Sequence, residues 1–354
     1  MKKVSPYSHL TIDERFKRVM EDESFRAFCK YKRSQGYFDR MLPIVEKISK
    51  IDVSSIKYDN SLINGVHLFT PNQIIEDVME FCAMIDRFDP NGISLLDRFH
   101  ENKQYLTFNS KGEGGRSYCK SKIEDNGDKT REIHVELEGR ISDTQNAIHE
   151  FGHSFAEVFM NFKRQEDYRM SEIPTTIMYY LSSQFMRSKY SQYRENFVEN
   201  DIYNQFSSVQ KARECLMEAM IVKAVCGEET LDSAMKSYGD LFKEFPNMLQ
   251  SRLEKIETFK FIPMYESQYI VPQAIALEMR ERYKTDPQQV AKQLKYLIEN
   301  NHCITEEQAL QYLGLPERDQ LIDEYVTQFP IRTLAMVAEK KQIQQEKNAD
   351  VMAP

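Results

Sequence analysis

Asn146-Ala147-Ile148-His149-Glu150-Phe151-Gly152-His153-Ser154-Phe155 is the stretch whose reading decides the fold. It contains His-Glu-x-x-His. On a helix, His149 and His153 stand one turn apart on the same face, where two neutral imidazoles can hold one Zn²⁺ ion. Glu150, beside the first of them, is placed to take a proton from a water as general base. Ile148, Phe151, Phe155, Ala156, Phe159 and Phe162 supply an apolar surface along the same segment, and no proline interrupts it.

A site with two helix histidines needs one more protein ligand and an open position. Four acidic residues downstream compete for the role. Glu157 continues the same helical row, from which three ligands do not converge tetrahedrally. Glu166 and Asp167 fall in a charged stretch that reads as solvated. Glu172 lies 19 residues after His153 and after room for a helix end and a return, and it is the favoured third ligand. Ser171 reads as the N-cap of the helix bearing it, with Pro174 in the first turn. The competing role for Glu172 is an ordinary acidic residue complementing a helix dipole.

Outward from this core the pattern is mainly helical. Thr11 with Glu14 forms a capping box, Phe38 to Ile51 has helical spacing, and Thr70-Pro71 opens another helix. Residues 93 to 140 change character: Tyr105 to Phe108 is a short β candidate. Ser117 to Ile123 and Glu132 to Leu137 alternate with period two around Asn126-Gly127, a hairpin signal. His134 reads as a solvated strand histidine rather than a ligand. Gly139 closes the strand, and Asp143 or Thr144 caps the next helix. Thr305 with Gln308 forms a second capping box, and the Lys/Glu/Gln-rich tail after about residue 336 reads as a solvated or frayed helix. The expected regions are an N-terminal helical region (1–92), a catalytic domain (93–300) and a C-terminal helical extension (301–354).

Composition narrows the class. A net charge of -8 without a long basic run argues against nucleic acid as partner, and no apolar run is long enough to span a membrane. The N-terminus lacks the apolar segment of a secretory signal, and the six cysteines include no Cys-x-x-Cys pair. These features lead to the expectation of a cytoplasmic protein, with export by a non-classical route the alternative.

Gly139 to Asp143 leading into His149-Glu150-Phe151-Gly152-His153, followed by Ser171-Glu172-Ile173-Pro174-Thr175-Thr176, resembles the thimet oligopeptidase / oligoendopeptidase F family of zinc peptidases. The likeness extends upstream to Glu101-Asn102-Lys103 and Gly115 to Tyr118, and downstream to Phe261 to Tyr269, covering about residues 93 to 285. It implies a zincin-like metallopeptidase catalytic domain, mainly α with a small antiparallel β-sheet. It also implies one zinc ion on His149, His153 and Glu172, Glu150 as base, and a peptide or protein segment as substrate. The family draws oxyanion donors from a late His and tyrosines. Here Met264 stands at the histidine position, leaving Tyr269 first and Tyr265 second as candidates, and Ala156 replaces a further family histidine.

Only about 145 residues precede His149, against a longer helical region in the family. The resemblance therefore implies a more open groove, with the Glu132 to Glu138 edge pairing an extended substrate. Two other readings compete: a binding or regulatory protein on the same scaffold with little turnover, and a dedicated effector or toxin protease acting on one protein.

Overall fold

The computed structural model describes residues 7, 9–64, 69–110, 117–123, 129–155, 165–230, 232–233, 236, 245–258 and 261–352. In chain order the helices before the sheet are α1 (Ile12–Glu21), α2 (Glu23–Ser34), α3 (Tyr37–Ser49), α4 (Asn60–Ile63), α5 (Pro71–Phe88) and α6 (Leu95–Asn102). Strands β1 (Leu106–Ser110), β2 (Tyr118–Ile123) and β3 (Lys129–Leu137) follow. Then come α7 (Asp143–Phe155), α8 (Gln165–Lys189), α9 (Arg194–Cys226), α10 (Phe245–Glu257), α11 (Ile270–Tyr283), α12 (Pro287–Asn300), α13 (Glu306–Leu313) and α14 (Arg318–Met352).

By compactness the chain forms two units. One comprises residues 1–53 and 206–270, the other 54–205 and 271–354. In the first unit α1 packs on α10. The Arg15 guanidinium spans both carboxylate oxygens of Glu257 at 2.9 and 2.6 Å, with both side chains buried. Arg213 donates to the carbonyls of Ser49 and Ile51, both at 3.1 Å, satisfying carbonyls at the end of α3. Thr11 and Glu14 make the capping box expected of them, as do Thr305 and Gln308 in the second unit.

The second unit is built around the sheet and α7. Strand β3 is central: it pairs parallel with β1 over Ile133 to Leu137 and antiparallel with β2 over Lys129 to His134. The sheet is therefore mixed rather than antiparallel. The antiparallel half follows from the expected hairpin, whose Asn126-Gly127 tip lies outside the described residues. The parallel half needs a long connection that no local signal announces. Central placement narrows the expected Glu132 to Glu138 substrate edge, because Ile133 and His134 have a strand on each side. On the β2 side the amide of Glu136 donates to Ser117 Oγ at 3.0 Å.

Both faces of β3 are covered. Ile133 and Val135 are fully buried, and His134 and Glu136, on the other face, are buried as well. His134 is thus not solvated. Thr107 Oγ1 lies 3.3 Å from the Ile133 carbonyl and shares a hydrogen bond of 3.2 Å with His134 Nδ1, and Tyr118 stacks on the ring with centroids 5.0 Å apart.

The tail after residue 336 is docked rather than frayed. Met336 and Ile343 on α14 pack with Val198 and Ile202 on α9. Glu195 and Glu199 receive Lys347 and Lys340, both at 2.6 Å. The apolar residues are spaced a helical repeat apart; Lys340 and Lys347 pair with α9, while Lys341, Gln342 and Gln344 to Glu346 are exposed, as a solvated helix has them.

Candidate metal centre

Helix α7 is fixed at both ends. Gly139 adopts a left-handed φ of 68° after β3, a conformation that costs glycine little. The Asp143 carboxylate accepts from the amides of Gly139 and Arg140 at 3.0 and 3.3 Å, so it holds the entry turn. Burial pushes that carboxyl up to about 6 against these hydrogen bonds. At the far end the carbonyls of Ser154 and Phe155 accept from the guanidiniums of Arg131 and Arg98. Arg131 also donates to Asn102 Oδ1 at 2.7 Å. Nothing in the local sequence marks either arginine for this task.

Ala147, Ile148, Phe151 and Phe155 are fully buried, with the Phe151 ring 5.1 Å from that of Phe99 on α6. Ala156, Glu157, Phe159 and Phe162 lie outside the described residues, and the side chains of Glu166 and Asp167 are likewise not described. Anchoring the apolar face of α7 turns His149 and His153 toward α8. Their rings meet edge to face, with centroids 4.8 Å apart and planes at 86°.

The approach of α8 rests on Gly152. A Cβ there would stand 2.9 Å from Thr175 Cγ2 and 3.1 Å from Met178 Sδ. Without one, α8 sits against the turn of α7 that carries both histidines. The helix bearing Glu172 begins at Gln165, not at Ser171, so Glu172 and Pro174 are interior. The Ser171 cap signal gives way because helical backbone continues through it. Proline cannot donate to the preceding turn. Thr175 Oγ1 donates to the carbonyls of Ser171 and Glu172 at 3.2 and 3.1 Å beside it. Glu172 therefore reaches the histidines from within a helix.

Three atoms converge. His149 Nε2 and His153 Nε2 are 3.2 Å apart, and Glu172 Oε2 is 3.4 Å from the first and 3.5 Å from the second. Glu172 is 1% exposed, and Oε2 has no hydrogen-bond partner among the described residues. Ligands about 2.0–2.1 Å from a tetrahedral zinc stand about 3.3–3.4 Å from one another. The triangle formed here has edges of that size, and its members are a borderline-soft nitrogen pair and a carboxylate, a donor set zinc accepts. A buried carboxylate oxygen lacking a donor is the position a cation satisfies. The residues present fit the group.

The electrostatics agree with the geometry. Burial would raise the Glu172 carboxyl, but the adjacent His153 and His149 hold it down at about 2. Burial opposes charge on His153, and the Glu172 carboxylate overcomes this and raises its pKa. Burial raises Glu150, partly offset by His149 and His153. Glu150 is thus a desolvated carboxyl within electrostatic reach of all three converging residues.

Tyr265 and Tyr269 lie in the first compact unit, on a 3-10 turn spanning Tyr265–Tyr269, with ring centroids 6.2 Å apart. Met264, which precedes it, is 1% exposed and adopts a left-handed φ of 56°. Its amide donates to Glu218 at 2.8 Å, and Glu218 in turn accepts from Arg252 at 2.8 Å. Its carbonyl accepts from Ser267 Oγ at 2.6 Å, and that hydroxyl also bonds Tyr37 Oη at 2.6 Å.

No family model matches the sequence, and no curated protein matches it. Two solved structures share its fold. One is a Bacillus anthracis protein assigned as an oligoendopeptidase F, with a TM-score of 0.51 and 14% identity over 92% of this chain and 56% of that one. The other is PZ peptidase A with an inhibitor, with a TM-score of 0.55 and 13% identity over 92% of this chain and 58% of that one. The chain thus spans a little more than half the length of either neighbour. The architecture is mainly helical with a small sheet, and the fold is zincin-like. Among the described residues no helix is long and apolar enough to cross a membrane.

Proposed function

We propose that the protein is a zinc-dependent endopeptidase cutting oligopeptides or an extended protein segment, with residues 93–300 as its catalytic region. The observation that carries this reading is the triangle of His149 Nε2, His153 Nε2 and the partnerless Glu172 Oε2, with edges of 3.2 to 3.5 Å, beside the buried Glu150. The two fold neighbours bear peptidase names, which agrees with it.

In this reading His149, His153 and Glu172 hold one Zn²⁺. Bound there, zinc supplies Lewis acidity, polarising a carbonyl and lowering the pKa of a water to about 7. Glu150 accepts the proton of the attacking water and returns it to the departing amine. Its desolvated setting suits both tasks, because a carboxyl with raised pKa holds a proton more readily than one in water. Tyr269, with Tyr265 second, is assigned by the sequence resemblance to donate its hydroxyl to the developing oxyanion.

Glu150→Gln tests the reading. Zinc stays at one per chain, while cleavage of a fluorogenic peptide library falls by about 10³-fold or more. Wild-type cleavage by that variant overturns the base assignment. Tyr269→Phe lowers kcat by about 10- to 10²-fold with zinc retained, and Tyr265→Phe does so less.

Met264 favours a second reading. It is buried, with its own amide and carbonyl hydrogen-bonded, at the position where the resemblance calls for a histidine. A scaffold that binds peptides with little turnover predicts bound zinc and no cleavage of any library member. The narrower alternative, a protease dedicated to one protein, predicts no library cleavage but cutting of a single protein.

A further inference from the structure

Helix α14 is docked within the second compact unit along one side, where Ile322, Tyr325, Phe329 and Met336 are buried. Its other side is open. Glu324, Thr327, Ile331, Leu334, Ala338 and Lys341 are all exposed, at alternating spacings of three and four residues. That alternation draws one straight seam along a helix, the pattern by which it meets a second helix. The middle of the seam is apolar. Ile331 is 58% exposed, and Leu334, at 69%, is the most exposed large apolar side chain among the described residues. A helix face that meets only water carries polar residues at such positions.

The charges at the two ends of the seam are opposite in sign. Glu324 accepts from the neutral Gln320 at 2.9 Å, and neither Glu324 nor Lys341 has an ionic partner among the described residues. Reversal makes this seam complementary to itself. Let a second copy lie antiparallel, with the two-fold axis passing beside the peptide between Arg332 and Thr333. Ile331 then faces the partner's Leu334, Thr327 the partner's Ala338 and Glu324 the partner's Lys341, and symmetry repeats each pair. A parallel copy would instead set Glu324 on the partner's Glu324 and Lys341 on the partner's Lys341.

We propose that two copies of this chain pair through α14 in this antiparallel register. The occupant is a second copy because one sequence supplies both halves of the match, apolar against apolar and acid against base. The seam is narrow and its ends are polar, so the buried area falls at the low end for specific interfaces. The dimer is therefore reversible, with a Kd on the order of 10–100 µM. The proposal does not depend on the reading of the metal cluster.

Sedimentation velocity on the full chain, loaded from about 1 to 300 µM, is the test. The weight-average sedimentation coefficient is expected to rise with loading, from the monomer value toward that of a dimer. Leu334→Lys holds the chain at the monomer value throughout. Its position is exposed, so its Tm at low loading matches wild type. Glu324→Lys and Lys341→Glu each weaken pairing about fivefold or more by setting like charges opposite one another, and the double variant Glu324→Lys/Lys341→Glu restores it. A wild-type chain that stays monomeric at every loading overturns the proposal, as does a dimer that survives Leu334→Lys. A double charge variant that pairs no more tightly than the single ones also overturns it, because the antiparallel register brings those two charges together.

Discussion

The α7–α8 pair and the turn around Met264 hold the chemistry-bearing side chains picked out in the sequence, and they are built in opposite ways. In the first, three ligand-type atoms converge and one buried carboxylate oxygen, 3.4 and 3.5 Å from the two imidazoles, makes no hydrogen bond among the described residues. In the second, the amide and carbonyl of a residue with an unfavourable φ are both satisfied from inside its own unit, by Glu218 and Ser267. The cluster turns its three ligand-type atoms toward one another. The turn is arranged to keep its own shape, with hydrogen bonds offsetting a left-handed methionine that costs about 1 kcal/mol.

The widest break between the two should come from Glu172→Gln. Zinc content by elemental analysis is expected to fall from one per chain to near zero, an affinity loss of about 10³-fold (~4 kcal/mol). A chelator that lowers the wild-type Tm should then leave this variant unchanged. Full zinc occupancy in Glu172→Gln would remove the contrast.

The turn has its own pH signature. Burial, against Arg252 and the Met264 amide, pushes Glu218 up to about 7. The folded state therefore binds the proton more tightly than the unfolded chain, whose value is 4.5. Stability contributed by the neutral carboxyl is complete below pH 4.5, declines as pH rises toward 7, and levels off above it. The ceiling is ~3 kcal/mol. Denaturant titrations across this window should show the decline in wild type and a flatter profile in Glu218→Gln.

Gly152→Ala sharpens the comparison from the cluster's side. The added methyl meets Thr175 and Met178 at sub-contact distances. Displacing α8 should cost about 1–3 kcal/mol in chemical denaturation and lower zinc affinity about tenfold or more. The smallest effect belongs to Ser267→Ala, which removes the hydroxyl's bonds to Tyr37 and the Met264 carbonyl and leaves the Ser267 amide on that carbonyl. A loss of about 1–2 kcal/mol is expected, with zinc content unchanged. A fall in zinc content would show that turn and cluster are not separable.

Much of the cluster was legible in the chain because its geometry is local. A four-residue spacing puts His149 and His153 on one helix face whatever surrounds them, and Phe151 with Phe155 says which face turns inward. Thr11, Thr70 and Thr305 could be read as caps for the same reason, and each side chain accepts from the amide three residues on.

What escaped reading depends on partners far along the chain. The choice of β1 as the parallel neighbour of β3 is not written near either strand. Arg98 and Arg131 resemble any surface arginine until α7 ends beside them. The Ser171 cap signal was sound chemistry overridden by a helix already under way from Gln165. His134 looked solvated because alternation normally means one wet face, and here both faces are covered.

The interleaving of the two units has a consequence for synthesis. One unit takes residues 1–53 and then nothing until residue 206. Its first three helices leave the ribosome well before α10, against which α1 buries the Arg15–Glu257 pair. Those helices must wait through the production of residues 54–205 before their partners on α9 and α10 exist. No single stretch of the gene encodes either unit, so halting translation after the cluster yields an N-terminal segment without its partners. Closing such distant contacts is slow, and the wait is a point at which a nascent chain of this kind depends on protection from aggregation.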